Sequence, residues 1–173
     1  AEVAYARKLN HPCIAVFFGV CRVPFVVLTE PFPNGSLHNL LAKVDTEISW
    51  EVRLRILIDV AEALEYMHTH NFVYKSVNSK FILISGFGSN SFNLHAKLGN
   101  FVQAATGRPA LQDSRDRTMY NAPELFGGNE IYTVASDIWA FGVLITEVRI
   151  AQFFPHHILF LSFLFSLLGC ISR

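Results

Sequence analysis

Hydrophobic residues in this chain come either as short β-branched and aromatic runs or at the 3-4 spacing of a helix face, and the two patterns divide it into elements. Residues 1–9 place Val3, Ala6 and Leu9 on one face and read as the end of a helix. Asn10-His11-Pro12 stops it, because proline and the residue before it resist helical geometry. Residues 14–20 and 25–29 are apolar runs rich in Val and Phe, separated by Cys21-Arg22-Val23-Pro24, and read as paired strands. Residues 31–36 have turn chemistry, and Ser36 is placed to cap a short helix over 37–43. The clearest helix is 50–68. Leu54, Leu57, Ile58, Ala61 and Leu64 form one apolar face, and Ile56, Val60, Ala63 and Met67 a second. Glu51, Arg55, Asp59, Glu62 and Tyr66 make its only polar stripe, with Arg55 and Asp59 spaced to pair one turn apart. Such a helix is expected to be mostly buried. Residues 72–74, 81–84 and 96–98 are short strand candidates, with loops predicted over 85–93 and 102–118. A second helix is predicted over 133–148, capped by Thr133 or Ser136. It is apolar nearly all round through Ile138, Trp139, Phe141, Val143, Leu144, Ile145 and Val148, which places it in the middle of a domain.

Composition narrows the class. The chain has 173 residues, 51% of them apolar and only 16% charged, with 14 basic residues balancing 14 acidic ones. This excludes a disordered polar chain and leaves no basic excess to attract nucleic acid. The length suits one domain with a real core. Cys13, Cys21 and Cys170 are too few and too scattered for a disulfide framework or a cysteine-based zinc site, so a reducing, intracellular setting is expected. The seven histidines, His68, His70 and His95 among them, show no ligand spacing and read as surface or loop residues.

Leu9-Asn10-His11-Pro12, Leu28-Thr29-Glu30 and Asn34-Gly35-Ser36-Leu37 are similar to the stretch of a protein kinase domain from the regulatory helix to the nucleotide hinge. Residues 59–68 (Asp-Val-Ala-Glu-Ala-Leu-Glu-Tyr-Met-His) resemble the long helix before the catalytic loop. Ala122-Pro123-Glu124 is similar to the end of the activation segment, and residues 136–144 (Ser-Asp-Ile-Trp-Ala-Phe-Gly-Val-Leu) to the central helix of the C-lobe. The matches keep their order over residues 1–148, with the flavour of the tyrosine-kinase and tyrosine-kinase-like groups. The resemblance implies an α+β fold: the end of an N-lobe over 1–30, a hinge over 31–36 and a C-lobe over 37–148, followed by a divergent apolar tail over 149–173. It also implies roles. Glu2 falls where the family pairs a glutamate with the nucleotide-binding lysine, and Thr29 falls at the gatekeeper. Glu30 through Phe32 lie where hinge backbone meets adenine. Phe101 would pack under the regulatory helix, Asp137 would hold the catalytic-loop backbone, and Thr118 would order that loop. Glu124 takes the place of a glutamate that pairs with an arginine, and buried without it would cost about 3–5 kcal/mol.

Phosphoryl transfer needs a carboxylate to orient and deprotonate the acceptor hydroxyl, and anionic and amide oxygens to hold magnesium. The catalytic-loop pattern His-Arg-Asp-Leu-x-x-x-Asn here reads Tyr74-Lys75-Ser76-Val77-Asn78-Ser79-Lys80-Phe81. Ser76 stands at the base position, and a neutral hydroxyl is a poor proton acceptor. Phe81 stands at the metal-binding amide, and Asn78 is a further degenerate position. Asp-Phe-Gly reads Asn100-Phe101-Val102, so a neutral oxygen replaces the metal carboxylate. Losing the base costs roughly 10²–10⁴ in rate. Losing the metal charge adds several kcal/mol, on the order of another 10²–10⁴-fold. Tyr74 replaces a packing histidine and reads as a core tyrosine. Ser114, Thr118 and Tyr120 are hydroxyls of the activation segment, read first as ordinary loop residues.

These residues define the expectation. The chain is a kinase core cut at both ends, with no intact catalytic residue and no metal site or cofactor of its own. It would work by contact with protein partners in signalling, an active kinase among them. The alternative is an ATP- and magnesium-dependent Ser/Thr or Tyr kinase of weak or unorthodox activity in the full-length protein. The expected compartment is the cytoplasm, whether in a free protein or in the intracellular part of a membrane receptor. Residues 158–171 carry no charge, yet a spanning helix needs roughly 20 apolar residues, so the tail reads as an abnormal terminus before a membrane-contacting or protein-buried helix.

Overall fold

The computed structural model describes residues 9–43, 48–86, 94–99, 119–126 and 131–150. The first strands, β1 (Phe17–Arg22) and β2 (Phe25–Thr29), form an antiparallel hairpin turning at Val23-Pro24. β1 begins three residues later than the apolar run suggests. Ile14 instead makes a parallel bridge to Leu98, and Ala15 N–H donates to the Leu98 carbonyl at 2.9 Å.

α1 (Leu37–Leu41) starts at Ser36, whose Oγ accepts from Asn39 N–H at 3.3 Å. Gly35 before it has φ +69°, a conformation glycine adopts without steric cost. α2 (Trp50–Thr69) is capped by Ser49, whose Oγ accepts from Val52 N–H. It ends where Asn71 turns left-handed at φ +59° and Phe72 N–H returns to the Met67 carbonyl at 2.9 Å. Of the two apolar faces expected for this helix, the one carrying Ile56, Val60, Ala63 and Met67 is buried, together with Val52 and Leu64. Leu54 and Ile58 are exposed, while Asp59 and Arg53 are buried. The expected polar stripe is therefore partly a core face.

Residues 72–74 are not a strand. The second hairpin is β3 (Ile82–Ser85) with β4 (His95–Leu98), in the register Ile82↔Leu98 to Ser85↔His95. Its inward residues Ile82, Ile84, Ala96 and Leu98 join the α2 face in the core. Pro123–Leu125 is a 3₁₀ turn with Ala122 and Leu125 buried.

α3 (Val134–Ile150) opens with a reciprocal pair: Ser136 N–H donates to Thr133 Oγ1 and Thr133 N–H to Ser136 Oγ. α3 packs on α2, with Ala140, Leu144 and Val148 in the common core. The Arg53 guanidinium ties the two helices by donating to the Val148 carbonyl. The all-round burial expected of α3 is not found: Ile138, Trp139 and Ile145 are exposed. Among the described residues, no helix is long and apolar enough to cross a membrane.

Candidate functional site

The site is built on the irregular segment 74–81, between α2 and β3. Asp137, in the first turn of α3 and 1% exposed, holds its start. One carboxylate oxygen accepts from Tyr74 N–H at 2.7 Å and the other from Lys75 N–H at 2.8 Å. Lys75 has φ +64°, a backbone state costly for a side chain with a Cβ, and the bond from its own N–H holds it there. His68 Nε2 lies 3.0 Å from the same carboxylate, so this histidine is not the free surface residue that spacing suggested.

Tyr74 is fully buried, and its hydroxyl donates to the Gly99 carbonyl at 2.6 Å. Burial, followed by the charge of Asp137, pushes its phenol far above the ordinary range. Gly99 N–H donates to the Phe81 carbonyl at 3.0 Å. Both polar groups of the residue before Asn100 are thus tied to the 74–81 segment, which brings the end of β4 beside Phe81. Ser76 and Phe81 are half-buried. Asn78 is buried, its Oδ1 accepting from Lys80 N–H at 2.9 Å. Asn100, Phe101, Glu2, Ser114 and Thr118 lie outside the described residues.

In the segment expected to form the hinge, Thr29 is exposed and Phe32 packs against the core. Glu30 N–H donates to the Val16 carbonyl at 3.1 Å. Its carboxylate accepts from Val16 N–H at 2.8 Å and from Lys97 Nζ at 2.8 and 2.9 Å, joining the end of β2 to β4. Asn34 Nδ2 donates to the Gly86 carbonyl at 2.8 Å, a second tie to the same hairpin. Ala122 is buried and Pro123 exposed. Glu124 is exposed as well, so the buried-charge cost expected for it does not arise.

Composition and spacing did not point to Glu147. It is 8% exposed on α3 and accepts from the hydroxyls of Ser79, at 2.8 Å, and Tyr120. Burial raises its pKa, and the two hydroxyl bonds oppose the shift. The network joins the 74–81 segment, the residues before the 3₁₀ turn and α3. Its signal in the sequence is one carboxylate between Leu144 and Val148 on an otherwise apolar helix face. Tyr120, read first as a loop hydroxyl, is one of its members.

The chain belongs to the protein tyrosine and serine/threonine kinase family, whose sequence model matches residues 1–157. The α+β architecture and the order of its elements are those of that domain. Cyclic GMP-binding protein C of Dictyostelium discoideum is 32% identical over 151 residues, covering 85% of this chain and 6% of that protein. Dual specificity testis-specific protein kinase 1 of Homo sapiens is 32% identical over 155 residues, covering 85% of this chain and 24% of the relative. Probable serine/threonine-protein kinase roco5 of Dictyostelium discoideum is 30% identical over 155 residues, with 85% and 5% covered. The chain therefore spans a quarter or less of the length of these relatives.

Proposed function

We propose that this segment is a pseudokinase-like domain that acts in signalling by binding protein partners or regulating a partner kinase. The observation that carries this reading is the joint identity of positions 76, 81 and 100. By the resemblance of residues 74–81 and 100–102 to the family's motifs, a serine, a phenylalanine and an asparagine fall at the expected proton acceptor, metal-binding amide and metal carboxylate. The bonds from Asp137 to the loop, and from Gly99 to Phe81, support it. They fix the backbone of the 74–81 segment to α3 and to the end of β4, the kind of rigid loop on which such a register depends. A neutral hydroxyl is a poor proton acceptor, and a phenyl ring offers no ligand atom to a magnesium–phosphate complex.

A second reading is favoured by the relatives, several of which carry names of serine/threonine or dual-specificity kinases. In it, the full-length protein transfers phosphate from ATP with magnesium, weakly, and Asn100 is the remaining metal contact.

Transfer of radiolabel from ATP by the full-length protein separates the two. The binding-module reading expects no transfer and no magnesium-dependent thermal shift with nucleotide. Transfer that Asn100→Ala abolishes would establish the enzyme instead.

A further inference from the structure

Away from the cleft, three potential ligand atoms converge from two elements. Cys13, in the segment between Pro12 and β1, points its Sγ at α2. It lies 3.9 Å from Asp59 Oδ1 and 3.7 Å from Glu62 Oε2, and the three ligand atoms all fall within 4.8 Å of one another. The thiol is 7% exposed and so is Asp59, whereas Glu62 opens to solvent. We propose that Cys13, Asp59 and Glu62 form a binding site for a zinc-class divalent cation, a clamp between the segment before β1 and helix α2.

Several independent features support this. Metal–sulfur and metal–oxygen bonds of about 2.3 and 2.0 Å at a tetrahedral angle put sulfur and oxygen about 3.5 Å apart. The two observed sulfur–oxygen separations need only a few tenths of an ångström of closure. A single S–H proton lies between two carboxylate oxygens and can satisfy only one, whereas a cation satisfies both. Asp59 is also oriented as a ligand should be. Its other oxygen accepts from Ala96 N–H at 2.8 Å and lies 3.3 Å from His95 Nδ1, which leaves Oδ1 facing the sulfur. Behind the thiol, Cys13 N–H donates to His11 Nδ1 at 3.2 Å, and Leu98 N–H to the Cys13 carbonyl at 2.9 Å, so its backbone is fixed.

The donor set selects the ion. Magnesium and calcium take oxygen ligands, while a thiolate with two carboxylates suits zinc or cobalt. Water would fill the fourth position on the open side beside Glu62. Binding displaces the thiol proton to solvent, and the sulfur binds as thiolate. Without a cation, burial and then the charges of Asp59 and Glu62 push the thiol up to about 12, so the pocket holds a protonated sulfur in a field that favours positive charge.

Cobalt(II) titration of the purified protein tests the site. One equivalent should raise a near-ultraviolet sulfur-to-cobalt charge-transfer band, zinc should displace it, and zinc should raise the melting temperature. Glu62→Gln changes an exposed residue and should leave the fold intact, yet weaken cobalt binding about tenfold or more. Cys13→Ser should abolish the band, and Cys21→Ser should leave it unchanged. Absence of the band overturns the proposal. So does a band that survives Cys13→Ser, or one of unchanged affinity in Glu62→Gln. If Cys13→Ser does not fold, the Glu62→Gln result decides alone.

Discussion

Asp137 shows how much one side chain can hold. It is the common acceptor for two backbone N–H groups at the start of the 74–81 segment, and His68 lies against it from α2. Replacing it with alanine takes that acceptor from both donors, and each lost bond to a charged acceptor costs about 1.5–3 kcal/mol. Asp137→Ala is therefore expected to destabilise the protein by about 3 kcal/mol or more, read as a lower urea midpoint at unchanged slope. His68→Ala, which removes a partner and no acceptor, should cost about 1 kcal/mol. The reverse order would show that the histidine, and not the loop backbone, is the main load on the carboxylate. At this scale the proposed reading of Ser76, Phe81 and Asn100 as substitutions rests on the family resemblance, which assigns each position a chemical task. Spacing alone did not reveal that His68 belongs with Asp137, because the two are 69 residues apart and only the packing of α2 on α3 brings them together.

At the level of elements, the strength of the hydrophobic pattern governed what could be read. Both long helices and both hairpins are where the apolar positions place them, with ends shifted by a few residues. The 72–74 run is apolar enough for a strand, but Tyr74 and Lys75 N–H are used by a side chain, so no ladder forms. The β3–β4 hairpin has its own constraint at Gly99. A Cβ there would sit 2.6 Å from Leu83 Cδ1 and 3.2 Å from the Phe81 carbonyl. Gly99→Ala must therefore displace Leu83 or part β4 from Phe81, at a cost of about 1–3 kcal/mol. Denaturant unfolding measures that cost. Amide exchange at Gly99 itself should quicken relative to the α2 core if the Phe81 bond is what gives way.

Over the whole molecule, several buried acids that titrate in alkali share one direction of shift. Burial raises the pKa of Cys13, Tyr74 and Tyr120 above their ordinary values. The folded state keeps protons that the unfolded chain gives up, so their contribution is fully present below the unfolded pKa values and lost as pH rises. For Cys13 the window runs from the ordinary 9.0 to about 12. Stability is expected to fall steadily across that range, and Cys13→Ala should flatten the thiol's share of the slope. Urea midpoints measured through the alkaline range check both. An increase in stability there would contradict the burial of these groups.

The sequence by itself determined the family and the order of the elements, and it carries the proposed reading of positions 76, 81 and 100. Those follow from local residue identity and spacing, which need no long-range contact to be read. Tertiary structure alone decided which face of α2 is core, and that Asp59 is buried while Leu54 and Ile58 are not. It also exposed Glu124, buried Glu147 against Ser79 and Tyr120, and set Cys13 between two carboxylates of a helix that begins 37 residues later. Such contacts depend on how elements dock, and docking is settled by shape and desolvation across the whole core. A residue's own neighbours in the chain carry little of that information.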